Sequence, residues 1–241
     1  RFHRDGPYVP WTVAAQRKAG VSAIHLHPER LDAPLHWKKP RRIFVNSMSD
    51  LFHEDVPDEF IDRVFAVMAL TPWNTYQILT KRPTRMHEYM TTLVRGPWAG
   101  RVTYDGQPGT DAWWRVEGVK TMMLQDTPPD VLNRASDWQE EHYPDGAGFM
   151  RKWPLPNVWL GVSVETQRYA DERLPLLAQC PAAVRFVSYE PALGPVNFKP
   201  YFYACSGCGQ QPCECKGLAL HWLICGGESG PGHRPMKVEW A

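Results

Sequence analysis

Short apolar runs that end in small polar or charged residues, each followed by a helical stretch, recur along the chain. This punctuation predicts βα units. In the first, Ile43, Phe44 and Val45 run into Asn46, Ser47, Met48, Ser49 and Asp50, ahead of a helix that places Phe60, Ile61, Val64, Phe65 and Met68 on one face. Pro57, Asp58 and Glu59 suit that helix's first turn. In the second, Tyr76 to Leu79 run into Thr80, Lys81 and Arg82, and Pro83 opens the next helix. The third runs from Val158 to Val162 into Ser163 and Glu165, with helical material that should break near Pro175. The fourth runs from Val184 to Val187 into Ser188, Tyr189 and Glu190, and the fifth from Trp222 to Cys225 into the turn Gly226, Gly227, Glu228, Ser229 and Gly230.

Runs this short and continuous suit parallel strands buried on both faces, with the intervening helices giving an α/β fold. Two stretches interrupt the rhythm. Residues 95–156, rich in Gly, Pro and Trp, read as a long insertion or lid, and residues 199–219 as a cysteine-rich insertion, all within one domain of 241 residues. Residues 1–40 carry only a short helical signal.

Charge nearly cancels, with 27 Lys and Arg against 26 Asp and Glu, so any nucleic-acid role must be local. No apolar run reaches the length of a membrane span and no secretory signal heads the chain, so the expected location is the cytoplasm, without membrane contact. Four of the six cysteines crowd together as Cys205-x2-Cys208-x4-Cys213-x-Cys215. In a reducing compartment this suggests a tetrahedral zinc knuckle, with an iron–sulfur cluster and free or paired thiols as the alternatives. Cys180 and Cys225 read as packing residues, with Cys225, at a strand end, facing the mouth as the alternative.

In parallel α/β folds the loops after the strands converge on one mouth. The strand ends here supply Asn46, Ser47, Ser49, Asp50, Thr80, Lys81, Arg82, Ser163, Glu165, Glu190, Glu228 and Ser229. Any one alone serves as well as a helix cap; together they form a polar ring suited to a zwitterionic or nucleoside ligand. Lys81 and Arg82 suit a carboxylate or phosphate, and Glu165, Glu190 and Glu228 an amine, ribose hydroxyls or a metal. Gly226 and Gly227 allow close approach of a ligand, or simply a tight turn. His53 beside Glu54 and Asp55 reads as a solvated helix start, with a metal-associated role as the alternative. Trp113, Trp114, Arg115 and Lys120 read first as core filling or a protein contact and second as a stacking surface for exposed bases.

The stretches RRIFVNSMSDLFHE (41–54), ILTKRP (78–83), NVWLGVSVE (157–165), VRFVSYEPALGPV (184–196) and GGESGPGHRPM (226–236) resemble the phage-type three-cysteine-motif family. That phage protein family is similar to the radical S-adenosylmethionine (radical SAM) superfamily and to spore photoproduct lyase. The resemblance implies a partial (βα)6 TIM-like barrel that binds S-adenosylmethionine. Ser49, Asp50, Thr80, Lys81 and Ser163 are the counterparts of the lyase's pocket residues. By the same resemblance, Lys81 would hold the methionine carboxylate, Ser163 and Glu165 the ribose or amino group, and Gly226, Gly227 and Glu228 the adenosine end, with Glu190 nearby. The expected activity is a radical SAM-type enzyme acting on a nucleic acid or nucleotide. The family's 4Fe-4S cluster sits in a loop of x3-x2 cysteine spacing, which none of the six cysteines follows. The cluster ligands are therefore expected upstream of residue 1, and the sequence reads as a fragment. The alternative is a non-catalytic barrel that binds a partner protein through its insertions.

Overall fold

The computed structural model describes residues 24–93, 110–143, 153–202 and 220–240. Five strands alternate with helices: β1 (Arg42–Val45), β2 (Thr75–Thr80), β3 (Val158–Ser163), β4 (Val184–Tyr189) and β5 (Trp222–Cys225). All four pairings are parallel and the strands lie side by side in chain order, the sheet curling into a half-barrel. Sequential parallel order carries every strand's C-terminal end to the same rim. The sixth strand of the expected barrel has no counterpart among the described residues.

The helices are α1 (Asp58–Leu70), α2 (Pro83–Thr91), α3 (Asp111–Asp126), α4 (Pro129–His142), α5 (Gln167–Gln179) and the short α6 (Lys199–Phe202). Pro83 and Pro129 each open a helix, where a missing amide donor costs no intrahelical bond. Helix α5 runs unbroken through Pro175, against the sequence expectation. One amide bond is lost there, but the buried Ala170, Leu174 and Leu177 hold the helix against the sheet. Each of the two buried leucines contributes about 1.5 to 3 kcal/mol. The described part of residues 95–156 is helical, and α3 packs on α1 and α2. Trp113 and Val116 are buried in the main core, which bears out core filling for this segment.

The two faces of the sheet differ. Ile43, Val45, Tyr76, Ile78, Val158, Leu160, Val162, Val187 and Tyr189 face the helices and join one continuous core. The alternate positions, including Phe44, Gln77, Trp159, Phe186 and Trp222, belong to no such cluster. Phe44 is 42% and Trp222 39% exposed, so burial on both faces fails at the edge strands, which have a neighbour on one side only.

Polar groups lock the N-terminal ends of the strands. Buried Asn157 donates through Nδ2 to the carbonyls of Met68, Thr71 and Asn74, at 3.0, 3.4 and 3.1 Å, and so caps α1 from the start of β3. The Asn74 side chain accepts from the Arg41 amide at 2.9 Å, which ties in β1. The hydroxyls of Thr71 and Tyr76 meet at 2.6 Å beneath them, and burial pushes the Tyr76 phenol up.

Gly161 on β3 sits under the ring of Phe186, and a Cβ there would lie 2.5 Å from a ring carbon. Gly161→Ala should therefore destabilise the fold by about 1 to 3 kcal/mol, as overpacking does. Phe186→Leu in the same chain should recover part of that loss; additive effects in denaturant unfolding would show that the ring is not the obstacle.

Candidate functional site

The rim at the strand C-terminal ends is built around Asp50, five residues past β1. Asn46, just after the strand, takes the left-handed conformation at φ 58°, which Asn tolerates, and its carbonyl accepts from Ser49 to close the turn. Asp50 Oδ1 accepts from Phe52 N at 3.0 Å and Thr80 Oγ1 at 2.7 Å; Oδ2 accepts from Lys81 N and Arg82 Nη1, both at 3.0 Å. With four bonds its acceptor sites are filled. The Thr80 hydroxyl is engaged as well, since it also accepts from Arg82 N at 2.9 Å. Asp50 and Thr80 thus join the ends of β1 and β2 and fix the direction in which Lys81 and Arg82 leave the sheet. Arg82 Nε donates to Glu54 at 2.9 Å. Glu54's own backbone amide and then Arg82 hold that carboxyl below its ordinary range.

A second cluster joins β2, β3 and α5. Lys81 Nζ lies 2.6 Å from Glu165 Oε1, and Arg173 Nη1 lies 3.2 Å from Glu165 Oε2. The same Arg173 nitrogen donates to the Ser163 carbonyl at 2.8 Å, and its guanidinium stacks over Tyr169 at 4.2 Å. The two ion pairs are unequal. Arg173 and Glu165 are 8% and 9% exposed, so removing either partner would leave a buried charge, at a cost of about 3 to 5 kcal/mol. The Lys81 side chain is 56% exposed, and exposed pairs contribute about 0 to 1 kcal/mol. Arg173 therefore anchors Glu165, whereas Lys81 can exchange its partner for a ligand at little cost. Among the described residues, no protein group bonds to the Ser163 hydroxyl, although Ser163 is buried.

The third part lies across β4 and β5. Glu190 Oε2 accepts from the Ser188 hydroxyl at 3.2 Å, and a Cβ at Gly226 would collide with the Glu190 carboxylate. Glycine is thus required at 226 by close approach of a carboxylate. Backbone bonds lace these loops together, from Leu193 N to Glu165 O, Ala192 N to Gly226 O and Gly226 N to Tyr189 O. Glu228 faces Arg234, which donates to it through Nε, Nη2 and its backbone amide at 2.7 to 2.8 Å. That pairing braces the turn through Gly230 and Gly232, both at positive φ. Ser49 is exposed and, with Asn46 and Asp50, lines part of a cavity of about 550 Å³ beside β1. Gly227 lies against Met236.

The rim therefore brings Asp50, Thr80, Lys81, Ser163 and Glu165 into one linked group, beside a second group of Glu190 and Gly226. Arg173 escaped the sequence reading. It stands in mid-helix, eight residues after Glu165, and no local pattern marks a helix arginine that turns back toward a strand end. Cys225 is exposed, which corrects its reading as packing; partial burial and then Glu190 hold its thiol above the ordinary range. Cys180 is buried as expected, its thiol pushed up to about 12 by burial. His53 Nδ1 accepts from Asp55 N at 3.2 Å, and among the described residues no three His, Cys, Asp or Glu gather as metal ligands. Cys205, Cys208, Cys213 and Cys215 lie outside the described residues.

Two outcomes follow from these pairings. Arg173→Met should destabilise the protein by about 3 to 5 kcal/mol in denaturant unfolding, and the double variant Arg173→Met with Glu165→Leu should recover much of it, because the stranded charge is gone. Arg234 holds the Glu228 carboxyl down at about 2 against an ordinary 4.5. Since the folded value is the lower one, the contribution of this pair is complete above about pH 4.5 and lost as pH falls toward 2. A carboxyl-detected NMR titration should place Glu228 near 2 and, in Arg234→Ala, back near 4.5.

No curated protein and no solved structure matches the chain. Among the described residues no helix is long and apolar enough to cross a membrane. A family model described as a protein of unknown function, DUF5131, matches residues 8–241, and the chain therefore belongs to that family.

Proposed function

We propose that this protein binds S-adenosylmethionine at the strand C-terminal rim and is a radical SAM-type enzyme acting on a nucleic acid or nucleotide. The observation that carries the reading is the unequal partnership of Glu165: a buried arginine fixes it, while an exposed lysine shares it loosely beside an unpaired serine hydroxyl. A zwitterionic nucleoside asks for such a set. Lys81 would take the ligand carboxylate on its exposed side, and Glu165, already oriented by Arg173, would accept from the ligand amine. The Ser163 hydroxyl and the free edge of Glu190 would meet ribose hydroxyls. The missing Cβ at Gly226, with Gly227 after it, lets the adenosine end approach the backbone. Asp50 and Thr80, with their bonds already filled, act as positioning residues for Lys81.

When bound and given one electron by an external reductant, S-adenosylmethionine would supply hydrogen-abstraction chemistry; holding it, orienting it and excluding water would be the part of this chain's residues. The described cysteines do not suit an iron–sulfur cluster. Cys180 precedes β4 and Cys225 ends β5, so they lie at opposite ends of the sheet and cannot share one cluster. Zinc binding by Cys205, Cys208, Cys213 and Cys215 is proposed on their spacing alone.

Titration calorimetry with S-adenosylmethionine tests the reading. The protein should bind it, and Lys81→Ala should weaken binding by about 1.5 to 3 kcal/mol, the range for a hydrogen bond to a charged group. Absence of binding, or an affinity that Lys81→Ala leaves unchanged, would overturn the assignment.

A further inference from the structure

Four cations stand in five consecutive residues where the chain enters β1: Lys38, Lys39, Arg41 and Arg42, with Pro40 between them. All four are exposed, and none pairs with a carboxylate among the described residues. In a chain whose formal charge is +1, this uncompensated strip is a strong local departure. An unpaired run of like charge repels itself and lowers stability, unless a polyanion takes it up.

The strip continues into the sheet. Arg42 opens β1 on the face that carries no helix among the described residues, here the helix-free face, and its guanidinium lies 5.7 Å from the ring centre of Trp159 on β3. Trp159 in turn meets Trp222 on β5 edge to face at 5.5 Å. Phe44, two residues after Arg42, shares that face, and Phe44 and Trp222 are two of the large apolar side chains left most open on the sheet. Between Phe44 and Trp159 the register places Gln77. Gln77 is 8% exposed, its Nε2 is sealed from solvent, and among the described residues its side chain has no hydrogen-bond partner. A buried carboxamide without partners costs about 1 to 3 kcal/mol, and a base edge offers both the donor and the acceptor it lacks.

Cations in a row, open aromatic faces beside them and an unmatched amide among the aromatics are what a single-stranded nucleic acid presents in complement: phosphates along the strand, bases with a π face, and polar base edges. We infer that the strip at residues 38–42 and the adjoining helix-free face form a single-stranded nucleic-acid site. The cations hold the backbone, Phe44 and Trp222 stack bases, and the Gln77 carboxamide, sealed from solvent in this structure, turns outward to meet a base edge. A lipid surface or an acidic protein would satisfy the charges but leave Gln77 unmatched. This inference deepens the reading above, on which the choice of a nucleic-acid substrate rests; it places the strand on the face whose upper edge is the proposed cofactor rim.

Fluorescence anisotropy with labelled oligothymidine of about 12 nucleotides tests it on the full chain, without S-adenosylmethionine, iron or reductant. Binding should fall with salt at a log–log slope of about −3, the value for four phosphate contacts on a single strand. Replacing all four cations by Ala should weaken binding at about 50 mM salt by about tenfold or more. Lys38→Glu with Lys39→Glu, at two exposed residues outside any helix or strand, should do likewise with an unchanged melting temperature. Trp222→Ala should weaken binding by about five- to a hundredfold, and Trp222→Phe should keep most of it. Lys199→Ala, at an exposed cation on α6, should change nothing. No salt-dependent binding, equal binding by the strip variants, or equal competition by an acidic peptide would overturn the site. Because no cofactor is present, such a failure leaves cofactor binding by calorimetry intact, and a failed calorimetry experiment leaves this site standing.

Discussion

The carboxylate of Asp50 is the joint on which the functional rim depends. Parallel strands in chain order bring their C-terminal ends together, but alignment of the strands alone does not fix the loops that leave them. Asp50 does so for the first two, accepting from its own turn at Phe52, from the last residue of β2 and from the two residues beyond it. A neutral side chain at this position would form weaker bonds, because hydrogen bonds to a charged acceptor are roughly twice as strong as neutral ones. At the opposite end of the sheet, Asn157 plays the matching part by gathering three carbonyls of the α1–β2 connection. The sheet is thus held at both ends by polar clamps and along its middle by apolar packing.

That packing is one-sided among the described residues. Helices α1, α2 and α5 lie over one face, where alternate residues of every strand enter a shared core. The other face carries aromatic residues, an unmatched amide and, at its upper edge, Ser163, Ser188 and Glu190. Division of labour follows from the two-residue period of a strand: stability is built on one parity and chemistry is left to the other.

The rim itself combines fixed and exchangeable groups. Asp50, Thr80 and Arg173 have partners that a ligand would displace only at substantial cost, whereas Lys81 and the Ser163 hydroxyl are available. Membership of a family of unknown function adds no chemistry to this picture. The functional reading therefore rests on which charges are buried and which are open.

Local pattern in the sequence was enough to locate all five strands, the helices α1 and α2, and the polar residues at the strand ends, because each depends on neighbours within a few positions. Helices α3 and α4 were not legible. Trp, Gly and Pro blur their periodicity, and what stabilises them is contact with α1, Trp73 and Leu35, more than forty residues away for α3 and further for α4. The sequence marked Asp50 and Glu165 as candidate ligands, yet could not tell that the first is saturated and the second anchored. Both facts need Arg82 or Arg173 to arrive from another element. In the same way, the basic run at 38–42 is visible in the sequence, but its junction with Trp159 and Trp222 is not. Only the register of five parallel strands puts residues so distant in the chain onto one face, because pairing between strands, unlike periodicity within them, is fixed by the packing of the whole sheet.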